Sequence, residues 1–360
     1  MRRARATNHS LPANFRPFSA LRRTVGTLAS AMCAVSLTTL AMSLGSAAPG
    51  AAAPAPGTIF VADSVNTTAG FIYVGTVTDY PVDRSGDVRP LVTVHMGISG
   101  PGYLAFDSSG DLWVTNNNND TVVEYPKGEL IEASPAPTVI ISSIESGAAS
   151  TIGPAGLTFD TSGDLWVANN NVDTVVEYTR TELAKTGAPV PHVTISLDTQ
   201  GRTKVQPWPL HFDSSGNLWV AENNAVVEYA KGELTKSGSP DPRATLQIPS
   251  ATDFAFDPSG DLWVALNDDR IVEYAKGKVA TSGRPVTRVT ISSNRSHSLD
   301  GPDCLIFDPA GDLWVGNDNN SSVVEFAKSE LASSGSPTPV RTIAGAATGL
   351  YEPGALAFEP

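Results

Sequence analysis

Three residues past the aromatic of six short apolar segments stands a position suited to holding cations or hydroxyl groups. It is Asp63, Asn116, Asn169, Glu222, Leu266 and Asn317 in successive copies. Five of these six carry a side-chain oxygen. A ring of carboxylate and amide oxygens would suit a hard cation such as Ca2+, which takes roughly six to eight oxygen ligands, or the hydroxyls of a sugar. Asp63, Asn116, Asn169 and Glu222 are the candidate metal ligands. Leu266 breaks the symmetry of the set, and Glu222 among asparagines differentiates it. The same residue types also form tight turns and tolerate left-handed backbone, so hairpins collect them with no ligand involved.

Departures from a repeat are a second source of chemistry. Trp208, His211, Asp253 and Asp303 stand where other copies carry small or aliphatic residues. Trp208 and Asp303 join the candidate binding set. His211 and Asp253 are candidates for proton transfer. His95, His192 and His297 have no recurring acid beside them, and His9 lies near the N-terminus. The chain has no Gly-x-Ser-x-Gly elbow, no His-Glu-x-x-His and no closely spaced cysteine pair. A further set of acids, Asp79, Glu124, Glu177, Glu228, Glu273 and Glu325, recurs in every copy. In five copies a base follows three residues later (Lys127, Arg180, Lys231, Lys276, Lys328). Recurrence in every copy argues for structure rather than catalysis, and predicts surface pairs worth under about 1 kcal/mol each.

The elements that carry these residues come from an internal repeat. Phe-Asp-x-x-Gly-Asx-Leu-Trp-Val, or its near copy with Ala before Gly, begins at Phe106, Phe159, Phe212, Phe256 and Phe307. Each copy continues into an Asn/Asp-rich patch, a Val-Val-Glu-Tyr-like segment, a Ser/Gly/Pro stretch and a short β-branched run such as Val193–Ile195. Each unit therefore reads as four short strands. Gly takes positive φ in the first turn, and Asp caps that turn through its side chain. Consecutive apolar residues in Leu-Trp-Val predict a strand covered on both faces. A four-stranded sheet cannot bury both faces alone, but sheets stacked around an axis bury one another.

The chain ends set the count. Ile59–Asp63 matches Leu165–Asn169, a second strand lacking its first. Pro353–Glu359 copies Pro154–Asp160 and supplies the missing strand. Five complete units and one shared unit predict an all-β, six-bladed β-propeller of four-stranded antiparallel blades over 57–360, closed by pairing of the C-terminal strand with the N-terminal blade.

Residues 1–56 read differently. Six arginines precede an uncharged run from Val25 to Leu44, then Ala, Pro and Gly. This is the pattern of an export signal with a linker, predicting a secreted protein, or one held at the cell surface if the segment is retained as an anchor. The Arg- and Ala-rich leader points to a bacterial source. That leader holds six of the 24 basic residues and none of the 37 acidic ones, so the remainder is more acidic than the whole chain's net charge of −13. Such a body repels nucleic acid and anionic lipid. Beyond the leader Cys304 stands alone, so no intrachain disulfide is available to the propeller.

Asp-x-x-Gly-Asx-Leu-Trp-Val-Ala followed by Asn resembles the NHL repeat and, more broadly, the six-bladed TolB-like propellers, a superfamily that includes gluconolactonase-like lactonases. The Gly-Asn-Leu-Trp wording alone is similar to the streptogramin lyases, which are seven-bladed. The NHL-like resemblance spans residues 57–360. It implies that the loops between second and third strands form the ligand face, with the Asp63, Asn116, Asn169, Glu222 and Asn317 positions toward the axis. It also implies that lactonase-like relatives hold a central metal with Glu, Asn and Asp. Propellers host sensors, binders and enzymes alike. The expectation is a binding or protein-interaction module for an extracellular protein, carbohydrate or small molecule. The alternative is a metal-dependent lactonase or lyase at the tunnel mouth.

Overall fold

Each Phe-Asp-x-x-Gly segment folds as a hairpin because the aspartate fixes it. In one copy Asp107 Oδ1 accepts the amides of Ser109 and Asp111, at 2.8 and 3.1 Å, and Gly110 takes φ +84°. Gly163, Gly216, Gly260 and Gly311 repeat that conformation, where a Cβ would be strained. The computed structural model describes residues 57–67, 72–131, 134–142, 153–197 and 205–360, with side chains of 64–67 and 72–74 left out. The export signal expected over 1–56 lies outside the described residues.

Twenty-four strands form six four-stranded antiparallel sheets. Blade 1 joins β24 (Pro353–Phe358) to β1 (Thr58–Thr67), β2 (Ile72–Pro81) and β3 (Thr93–Val94). Blade 2 runs β4 (Pro101–Phe106), β5 (Leu112–Asn116), β6 (Thr121–Tyr125) and β7 (Val139–Ser142) from the axis outward. Blades 3 to 6 follow with inner strands β8 (Pro154–Phe159), β12 (Leu210–Phe212), β16 (Ala251–Phe256) and β20 (Pro302–Phe307). Their second strands are β9 (Leu165–Asn169), β13 (Leu218–Glu222), β17 (Leu262–Leu266) and β21 (Leu313–Asn317).

Closure occurs as the sequence predicts. β24 pairs antiparallel with β1, Ile59 facing Phe358 and Val61 facing Leu356. Glu359 is held by Thr58 Oγ1 at 3.1 Å, and the final carbonyl oxygen by Lys127 Nζ at 3.1 Å. The inner strands then succeed one another around the axis. β24 lies against β4, β4 against β8, β8 against β12, β13 against β16, β16 against β20 and β20 against β24.

The repeated aromatics are the contacts between blades. Trp113 meets Phe159 edge to face, and Trp166 with Phe212, Trp219 with Phe256, Trp263 with Phe307 and Trp314 with Phe358 repeat the contact. Phe60 with Phe106 makes the sixth interface, at 5.1 Å between ring centres. Such pairs add about 0.5–1.5 kcal/mol each beyond the area they bury. Among the described residues no helix is long and apolar enough to cross a membrane.

The recurring third-strand acids overturn the expectation of surface pairs. Glu177, Glu228, Glu273, Glu325 and Asp79 are buried, because the neighbouring blade covers this strand too. Burial pushes the carboxyl groups above their usual range. Their partners are not the bases three residues on. Glu228 binds Arg243 at 3.1 Å, Glu273 binds Arg288 and Glu325 binds Arg341, each from the blade's outer edge. The lysines instead lay their stems over the first-turn glycines, as Lys127 does at Gly110.

Candidate functional site

Three of the hairpin side chains, Asp63, Asn116 and Asn317, spend their oxygens on hydrogen bonds to nearby backbone. Asn116 is fully buried: its Oδ1 accepts the Ser99 amide at 2.9 Å, and its Nδ2 donates to the Gly97 carbonyl and to Thr121 Oγ1. Asn317 repeats this with the Asp300 amide, the Ser298 carbonyl and Ser322 Oγ. Asp63 accepts the Tyr351 amide and Thr78 Oγ1, both at 3.1 Å. Asn169 is buried and donates to Thr174 Oγ1 at 3.3 Å. Asp63, Asn116 and Asn317 clamp the second strand to the connection arriving from the neighbouring blade. Asp63, Asn116 and Asn317 thus have their polar atoms committed, whereas Asn169 Oδ1 is buried and accepts no hydrogen bond among the described residues. Burial raises the Asp63 carboxyl from 3.8 to about 7, against the two hydrogen bonds it accepts.

Glu222 behaves differently because its strand ends at an open pocket. That pocket, of about 410 Å3, is lined by Trp208, Glu222 and Asp303, with Asn170, Gln206 and Thr252. Three residues singled out in the sequence thus meet at one place. Trp208 is 39% exposed, unusual for so large an apolar surface. Trp208, just before β12, and Asp303, in β20, occupy the same register, four residues before Phe212 and Phe307, where other blades carry Gly102, Ala155, Thr252 and Gly354. Asp303 is raised to about 7 by burial and by the charges of Asp318, Asp253 and Glu352. Asn170 and Gln206 were not anticipated. Asn170 belongs to an Asn run in which nothing local separates it from Asn169.

A second constellation crosses the axis. Register shifts at the start of β4, β8, β16, β20 and β24 interrupt the ladder, and such bulges re-aim side chains. Tyr103 from blade 2 reaches across the tunnel, its Oη 2.9 Å from His211 Nε2 in blade 4 and 3.5 Å from Asp253 Oδ1 in blade 5. Asp253 Oδ2 accepts the Leu305 amide at 2.8 Å, tying blade 5 to blade 6. His211 also packs edge to face on Phe254, 5.1 Å between ring centres. Burial and the charge of Asp253 push the Tyr103 hydroxyl well above its ordinary value, so it is a neutral hydrogen-bonding group. This cluster adjoins a second cavity, of about 400 Å3, whose wall includes Phe106, Phe212, Phe256, Phe307 and Phe358. Tyr103 was missed in the sequence, although a signal existed: it stands three residues before Phe106, the register of Asp253, where blade 3 carries Gly156.

No protein-family model matches the chain, and no curated protein does. Solved structures do. A protein of unknown function from Bacteroides caccae is 13% identical with a TM-score of 0.56, over 84% of this chain and 98% of its own. A streptogramin B lyase is also 13% identical with a TM-score of 0.53, over 83% of this chain and 92% of its own. At such identity the likeness speaks for fold, not chemistry. Together with the ring of six four-stranded sheets, it shows that this chain has the fold of a six-bladed β-propeller.

Proposed function

We propose that this protein is a secreted binding module that takes a hydroxyl-rich ligand, a saccharide, in the pocket of Trp208, Glu222 and Asp303. The observation that carries the reading is the exposed Trp208 ring beside two acids and two amides in one concavity. Binding sites join an apolar surface to a few placed polar groups. A sugar presents both an apolar face, which can lie on the indole, and hydroxyls that bond to carboxylate and amide oxygens. The acidic body disfavours anionic partners.

The test is calorimetry with a panel of neutral oligosaccharides against the wild type and Trp208→Ala. Saturable binding reduced at least tenfold by the substitution, with an unchanged melting temperature, supports the reading. Equal binding by both proteins, or binding by neither, overturns it.

A second reading, an acid/base enzyme of lactonase or lyase type, draws on the 2.9 Å approach of Tyr103 Oη to His211 Nε2 beside the axial cavity. His211 would move the proton, with Tyr103 and Asp253 orienting the ring. The name of the streptogramin B lyase neighbour agrees with this class. Turnover of a lactone or cyclic depsipeptide that survives His211→Ala would remove it.

A further inference from the structure

The six blades provide an internal comparison at the third-strand acid. Where the fourth strand begins, the residue whose amide donates to the acid's carbonyl is Arg243 in blade 4 and Arg288 in blade 5. Blade 5 gathers Asp257, Asp261 and Glu273, with one carboxylate oxygen of each within 4.8 Å of the others. Arg288 fills that trio, 2.9 Å from Asp261 and bonded to Glu273. Blade 3 builds the same trio from Asp160, Asp164 and Glu177, again within 4.8 Å. Here the equivalent residue is His192, whose amide donates to the Glu177 carbonyl at 2.9 Å. The guanidinium is missing and the carboxylates remain.

Glu177 supplies the independent observation. Its side chain is 8% exposed, points into the trio and, among the described residues, accepts no hydrogen bond and joins no ion pair. A largely buried carboxylate that faces an open cavity without a protein partner favours a cation that enters that cavity. The bases nearby do not fill the role. Arg180 folds its stem over Gly163, and Lys231 lays its stem over Gly216 in blade 4. Asp160 and Asp164 each use one oxygen on main-chain amides, Asp160 on Ser162 and Asp164, Asp164 on Arg180. Each keeps its other oxygen for a ligand. Blade 2 also lacks the arginine, but there Thr138 Oγ1 donates to Glu124 at 2.6 Å and satisfies it.

We propose that blade 3 binds a divalent cation at Asp160, Asp164 and Glu177, where blade 5 holds a guanidinium. Oxygens at most 4.8 Å apart can share an ion at the 2.3–2.6 Å typical of Ca2+ with little movement. The trio lies in a cavity of about 320 Å3 that also contains Trp166 and His192. Space therefore remains for coordinated water, and His192 can join when the ion accepts nitrogen, as Mn2+ does. Desolvation by burial, then the charge of Asp164, raises the Glu177 carboxyl, the direction a bound cation would reverse.

Trp166 makes the site visible, because Tb3+ occupies Ca2+ sites and emits when a neighbouring indole is excited. The expected result with the chelator-treated full chain is sensitised emission that Ca2+ displaces. It is lost in Trp166→Phe, which separates blade 3 from the Trp263 trio of blade 5, and falls at least tenfold in Glu177→Gln. His192→Arg copies blade 5 and should abolish Tb3+ and Ca2+ binding while holding or raising the melting temperature. Emission from the wild type that persists unchanged in His192→Arg overturns the proposal, as does no emission at millimolar ion.

Discussion

Tyr103 Oη and His211 Nε2 lie 2.9 Å apart although 108 residues separate them in the chain. The contact spans the axis from blade 2 to blade 4, so it forms only in the closed ring. Tyr103→Phe should lower stability by about 1 kcal/mol, the worth of an ordinary hydrogen bond, as read by denaturant melts. An enzyme using His211 would lose turnover as well. A loss above about 3 kcal/mol would mean that Tyr103 supports the ring by more than this bond.

Asp253 ties two blades through the Leu305 amide. Asp253→Ala leaves that buried N–H without an acceptor, which costs about 1–3 kcal/mol. Asp253→Asn keeps an oxygen in place and should cost less. Equal melting temperatures for the two variants would refute the tie.

Ring closure depends on β24. Leu356, buried and paired with Val61, should lose about 2–5 kcal/mol on Leu356→Ala. A chain ending before Glu352 should lose more and be cut faster by protease, because β1 becomes an exposed edge. Undiminished resistance of the shortened chain would contradict closure by pairing.

The Asp63 carboxyl is raised from 3.8 to about 7 by burial, so the folded state binds its proton more tightly than the unfolded chain. Stability should therefore fall as pH rises from about 4 to 7, by up to a few kcal/mol. Asp63→Asn copies Asn116 and Asn317 at the same register and should flatten that slope and raise stability at pH 8. Urea melts at pH 5 and pH 8 read both effects. An unchanged slope would show that Asp63 does not titrate in this window.

Arg288→Ala should strand Glu273, which is fully buried, and destabilise by about 1–3 kcal/mol at pH 7, the half-exposed arginine being partly screened by water. The loss should shrink near pH 4, where Glu273 can take a proton. A pH-independent loss would point to packing of the arginine stem instead.

Turn chemistry was legible in the sequence because it is local: Asp107 and Gly110 sit three residues apart, and the turn geometry admits few alternatives. The blade count was legible because a repeat must bury two faces and Pro353–Glu359 repeats Pro154–Asp160. Trp208 and Asp303 were found as departures from that repeat and Glu222 as the one glutamate at its ring position, yet their meeting in one pocket was not, since they come from two blades that are not neighbours in the chain. Asn116 misled for the opposite reason. An amide in a hairpin has the same letters whether it faces a ligand or, as here, the main chain of the arriving connection.

The sequence by itself determined the unit, its turns and the number of units, all set by short-range sterics and by the need to cover apolar strands. Only the tertiary structure decided which acids meet a counter-charge and which side chains share the axis. Those outcomes depend on which side chains meet across strands and across the ring: an arginine reaches Glu273 from 15 residues away while Glu177 is left with His192, and a bulge turns Tyr103 inward across the ring.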